Sequence, residues 1–207
     1  MKKMLLFGAA VVALSCATAP AFAAASASNG VAISGTSTPT CTLNSGVQSA
    51  ATNATYTPGA GASTLAVTTL ASATDATLQT TSATVTFVGM CNYAHNVGLM
   101  SANSGLQNGS TSNDPLATSG SFIKKIGYTA SYQWAGHSST GSETLTFTND
   151  VGTGSSAAAT VTKGATFAVS GANRGNLVLQ FDIAGLATPV VAGTYTDTLT
   201  VQIGASL

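Results

Sequence analysis

Charge is what this chain has least of. Its 207 residues include six Lys or Arg and six Asp or Glu, only 6% of the total. Beyond the N-terminal region the basic residues are Lys124, Lys125, Lys163 and Arg174 alone. No basic cluster exists to grip a phosphate backbone, so nucleic acid is not an expected partner. Low charge in a polar chain signals disorder, but here 44% of residues are hydrophobic, enough for a core. A surface of Thr, Ser, Ala and Gly with so few charges offers little repulsion against self-association. Helical periodicity is also missing. No stretch holds a 3.6-residue apolar repeat for three turns, although the Ala-rich residues 46–54 suit a short helical turn. No internal repeat is present.

Signatures of catalysis are equally scarce. The two histidines, His95 and His137, stand in no H-x-x-x-H pair and near no cysteine pair, so a zinc site would have to come from distant loops. There is no G-x-S-x-G, no P-loop and no G-x-G-x-x-G. The carboxylates Asp75, Asp114, Glu143, Asp150, Asp182 and Asp197 are scattered and read as turn caps and solvated loops rather than a glycosidase pair. Asn113-Asp114-Pro115 and Asn149-Asp150 look like turns without the ligand density of a calcium loop. Asn53-Ala54-Thr55 and Asn108-Gly109-Ser110 match a glycosylation acceptor, as chance allows in a chain so rich in Thr and Ser. The expectation is a protein that is not an enzyme and uses no metal or cofactor.

The N-terminus is informative. Two lysines, a short apolar run and Ala21-Phe22-Ala23 form a secretory signal peptide over residues 1–23. The run is short for a membrane span, and nothing in the mature chain looks membrane-spanning. Cys16 raises the rival of a lipoprotein leader, for which Ala13-Leu14-Ser15-Cys16 is a poor match with Leu one place late. Removal of the leader leaves about 184 residues, enough for one β-domain with a sizeable core. It also leaves two cysteines, Cys41 and Cys91. In an exported chain an even count points to a disulfide, worth about 4 kcal/mol for a loop of this length on the chain-entropy account.

Residues 24–38 are small and polar except for Val31 and Ile33, which share one face of an extended segment. Strand-like runs then follow at 63–70, 82–90, 95–101, 122–134, 143–149, 158–170, 176–185 and from Tyr195 onward, separated by Gly, Asn, Ser and Pro. Residues 101–121 form the longest expected loop. Tyr128, Tyr132 and Trp134 share one strand face, which suits core packing better than a sugar-binding platform. In the terminal run, Tyr195, Leu199, Val201 and Ile203 face one way and Thr196, Thr198, Thr200 and Gln202 the other. Asp197 falls on the apolar face. It is expected at the rim of the sandwich, accepting from backbone amides or a hydroxyl. The class is all-β, an Ig-like two-sheet sandwich.

The terminal "AGTYTDTLTVQI" resembles the C-terminal signature of the spore-coat-protein-U-like domain, the pilin fold of archaic chaperone–usher pili. Cys41 soon after the mature start, "VTFVGMC" ending at Cys91, and Tyr128-x-x-x-Tyr132 with Trp134 fit the same pattern. The resemblance covers about the last 30 residues and the cysteines. It implies a sandwich over residues 39–207 lacking its last strand, with Tyr195, Leu199, Val201 and Ile203 lining an open groove. A periplasmic chaperone, and then the N-terminal segment of another subunit, would fill that groove as the outer-membrane usher assembles a surface fibre serving adhesion or biofilm formation. In this chain the donor strand would be 24–38, with Val31 and Ile33 inserting and Gly35 allowing close backbone approach. The segment departs from the family in having only two sizeable apolar residues. The alternative reading is a monomeric secreted module that binds carbohydrate or another surface ligand through its long loop or its aromatic strand.

Overall fold

The computed structural model describes residues 31–109, 122–136, 140–147, 150–151 and 163–205. The expected signal peptide with Cys16, residues 24–30 of the candidate donor strand, Asp114, His137, Asn149 and 110–121 of the expected loop lie outside the described residues. The chain divides into two units, Met1–Ser37 and Thr38–Leu207. In the first, residues 31–37 carry no regular secondary structure, and Val31 and Ile33 are 83% and 94% exposed.

The second unit is an all-β, antiparallel sandwich. Its larger sheet has six strands. β6 (Thr81–Cys91) and β14 (Asn173–Ile183) form its centre, paired along their whole length from Thr81↔Ile183 to Cys91↔Asn173. β10 (Thr129–Gly136) lies on the other side of β14, and β11 (Thr140–Thr146) ends the sheet. At the opposite edge, β1 (Cys41–Leu43) and β2 (Val47–Thr52) pair with successive parts of β6. The period of two is plain: Thr81, Ala83, Val85, Phe87, Gly89 and Cys91 are buried, and the residues between them are not. β14 repeats this with Leu177, Leu179, Phe181 and Ile183. A half-buried strand alternates in this way because successive side chains leave opposite faces of the sheet.

Against that face packs a three-stranded sheet ordered β13 (Lys163–Val169), β7 (His95–Ser101), β17 (Leu199–Gly204). A four-stranded sheet holds β12 (Asp150–Val151), β9 (Ile123–Ile126), β8 (Leu106–Asn108) and β16 (Tyr195–Thr196). Two small two-stranded sheets complete the unit: the hairpin of β3 (Ala54–Thr57) with β4 (Thr64–Val67), and β5 (Thr77–Leu78) with the distant β15 (Leu186–Pro189). Trp134 is fully buried between the layers. A Cβ at Gly89 would stand 2.8 Å from its ring, so only glycine leaves that ring room. Ile203 of β17 reaches the same spot from the other side.

Four expectations change. The Ala-rich stretch 46–54 is strand, not a helical turn. β2 lies along β6 from Val47↔Thr86 to Thr52↔Ser82, and those ladder bonds override alanine's helix preference. The run 122–134 is two strands from different sheets, β9 and β10. The terminal run is likewise broken at Asp197-Thr198: β16 pairs with β8, and β17 pairs with β7. Within 101–121, residues 106–108 are strand rather than loop. No helix occurs among the described residues, so none there is long and apolar enough to cross a membrane.

Candidate binding groove

Cys41 and Cys91 are directly opposite in the β1–β6 ladder and form a disulfide. The bond pins β1 to the end of β6. Asn44 holds the next turn: its Oδ1 accepts from the backbone N–H of Val88 (2.7 Å) and of Gly46 (3.2 Å). These contacts set one bank of a groove of about 750 Å³ that runs beside β17.

Leu199 and Val201 of β17 form one wall. Leu43, with Tyr56, Leu65 and Val67 from the β3–β4 pair, forms the other. The floor is the inner face of the large sheet, Val85 and Phe87 from β6 and Leu179 and Phe181 from β14. Leu106, Tyr128 and Asp197 also line it. The lining is therefore mostly apolar. Among the described residues β17 pairs on one side only, with β7, and its second edge lies beside this trough.

Asp197 organises the break in the terminal run. Its Oδ2 accepts from the Ser101 hydroxyl (2.6 Å) and the Tyr128 hydroxyl (2.5 Å). Its Oδ1 accepts from the backbone N–H of Asn103 (2.9 Å) and of Thr198 (2.7 Å). Ser101 in turn accepts from the Ser104 N–H (2.8 Å). A carboxylate held by several charge-assisted bonds is a strong local staple. Here it ties the corner between β16 and β17 to the bend between β7 and β8. Burial first, and then the hydrogen bond to Asp197, hold the Tyr128 phenol well above the usual tyrosine range. The expected role of Asp197, accepting from amides and a hydroxyl, is the one found.

Of the four residues expected to line the groove, Leu199 and Val201 do so, and Tyr195 and Ile203 do not. Tyr195 precedes the strand break and is directed elsewhere. Its hydroxyl donates to the carbonyls of Val191 (2.8 Å) and Ile123 (3.1 Å), and burial raises its pKa. Ile203, past the groove, packs toward Gly89 and Trp134. The aromatic strand is core: Tyr128, Tyr132 and Trp134 are all buried and present no sugar platform. Asn53 is used inside the fold, its side chain bonding the backbone N–H and carbonyl of Thr69 and the Thr81 hydroxyl. Asn108 is buried. His95 is buried with Nδ1 2.8 Å from the Tyr93 carbonyl. Among the described residues no group of His, Cys, Asp and Glu is placed to hold a metal ion.

Sequence reasoning missed the far wall and the floor. The runs "STLAVTTL" and "SATVTFVGM", which hold Leu65, Val67, Val85 and Phe87, read only as strands. That reading carried no sign that the space above these residues stays open. No family model matches the chain, and comparison with curated proteins finds no match.

Proposed function

We propose that the protein is a non-catalytic structural subunit of a secreted surface fibre, whose β17 edge and groove accept an extended strand from another subunit. One observation carries this reading: an apolar trough lies directly beside a strand edge that pairs on one side only among the described residues. Such an edge over uncovered core favours β-strand addition, in which the main chain supplies affinity and alternate side chains fill the trough. A head-to-tail contact of this kind does not close on itself and builds filaments. The segment 24–38 is the candidate donor, because Val31 and Ile33 are exposed and spaced for one face of a strand.

Magnitudes bear on which part of the contact matters. Burying Val31 and Ile33 yields roughly 3–6 kcal/mol. That is no more than the freedom lost on association, roughly 4–15 kcal/mol. The ladder along β17 therefore supplies the surplus, and before assembly a periplasmic chaperone occupies the same edge until an outer-membrane usher hands the subunit on. Partners are then that chaperone and usher together with copies of this chain or related pilins, and the destination is the cell surface.

Deletion of residues 24–38 tests the proposal. The expected product melts like the parent, still binds its chaperone and forms no fibres; Val31→Asp and Ile33→Asp act alike. A truncated chain that unfolds, or one that still assembles, overturns the donor assignment. A parent chain that leaves the cell only as a monomer favours the rival binding-module reading.

A further inference from the structure

We propose that Glu143 guards the β11 edge of the large sheet against strand addition, so that intermolecular pairing is confined to the β17 edge on the opposite side. β11 ends the six-stranded sheet, and among the described residues it pairs only with β10. Apart from Glu143 it is an inviting edge. Thr140, Ser142, Thr144 and Thr146 are exposed and uncharged, and the seven residues pair with β10 without a bulge. A long, flat, uncharged edge of β-forming residues is a template for another chain.

Glu143 breaks that pattern from the inside. It pairs with Tyr132, whose side chain is buried in the core, and directly opposed residues in an antiparallel ladder share a face. It alternates with Gly141, which lies under the Phe167 ring, and with buried Leu145. The carboxylate therefore sits half-buried on the core side of an edge strand; burial chiefly, and then the Glu143 charge, raise the pKa of Tyr132. A strand added at β11 would cover that carboxylate and strip its remaining water, a cost an uncharged residue would not impose. Inward-pointing charge is one of the known ways in which natural sheets blunt their edges. β17 has no such device: from Leu199 to Gly204 it carries no charged residue.

The test is independent of the groove. Ser142→Cys is introduced into the exported chain as a reporter, alone and with Glu143→Thr or Glu143→Lys. Light scattering at fixed micromolar concentration follows assembly, and non-reducing mass analysis follows 142–142 cross-links. The Glu143→Thr chain is expected to melt no lower than the reporter alone, to assemble at least tenfold faster and to cross-link through residue 142. Glu143→Lys is expected to stay as slow as the reporter, because either sign of charge resists burial. Slow assembly of Glu143→Thr, fast assembly without the cross-link, a lowered melting temperature, or fast assembly of Glu143→Lys would each overturn the proposal.

Discussion

The two flanks of this sandwich are built from the same residue types and end differently. On the β11–β13 flank the Phe167 ring stacks on Tyr132, with centroids 5.7 Å apart and planes 16° from parallel, and covers Gly141. The Tyr132 hydroxyl crosses to the facing sheet and donates to the carbonyls of Val97 (2.8 Å) and Ala165 (3.0 Å). On the β17 flank the inward residues are Leu199 and Val201, and they face a trough. Packed sheets lie about 10 Å apart, so closing a flank takes side chains long enough to meet across that gap or another strand laid over it. One flank has the aromatic pair. The other has only Leu199 and Val201 at the trough, and its next inward residue, Ile203, reaches Gly89 beyond it.

The largest expected effect falls on the open flank. Replacing Cys41 and Cys91 by Ser should cost about 4 kcal/mol in urea unfolding, because the bond ties one bank of the groove to β6. In the parent neither Cys41 nor Cys91 should be alkylated without reduction. Phe167→Ala tests the closed flank. A loss of about 3 kcal/mol is expected, together with new binding of an apolar dye as the interior opens. Val201→Ala should cost less and leave dye binding unchanged, since that flank is already open. Equal dye responses would erase the contrast.

Asp197→Ala should cost about 1–3 kcal/mol, since it leaves the Asn103 amide and the Ser101 and Tyr128 hydroxyls without their acceptor. The loss should appear first as faster amide exchange in β16 and β17. Tyr132→Phe removes only the donor that spans the closed flank and should cost about 1 kcal/mol. The smallest test is alkaline. Burial raises the pKa of Tyr128 and Tyr132 in the folded chain, so there the fold binds protons that the unfolded chain releases. Their stabilising contribution is therefore complete below about pH 10 and declines as pH rises toward the folded values. Tyr128→Phe should flatten the alkaline limb of a melting-temperature profile and leave the neutral region little changed in slope.

Much of the fold was legible because burial on one face writes a period of two into a strand. β7 and β14 were readable for that reason, as were the core positions Tyr128, Tyr132 and Trp134. Where the signal failed, a distant partner had decided the matter. Ala50 and Ala51 lack the bulk that marks a strand, yet β6 recruits them through Thr84 and Ala83. Alternation from Tyr195 to Ile203 looked continuous because a change of sheet at Asp197 leaves the pattern of side-chain polarity intact.

The class of the fold, the pairing of Cys41 with Cys91, the burial of the aromatic strand and the hydrogen-bonded fate of Asp197 were determined by sequence alone. Each follows from residue type, count or spacing over a few positions. Which flank is closed, where the terminal run changes sheets, why Tyr195 and Ile203 leave the groove to Leu199 and Val201, and that Glu143 faces inward on an edge were decided only by the tertiary structure. An edge is not a property of any one strand. It is what remains when every strand has found its partners, and those partners lie tens of residues away in the chain.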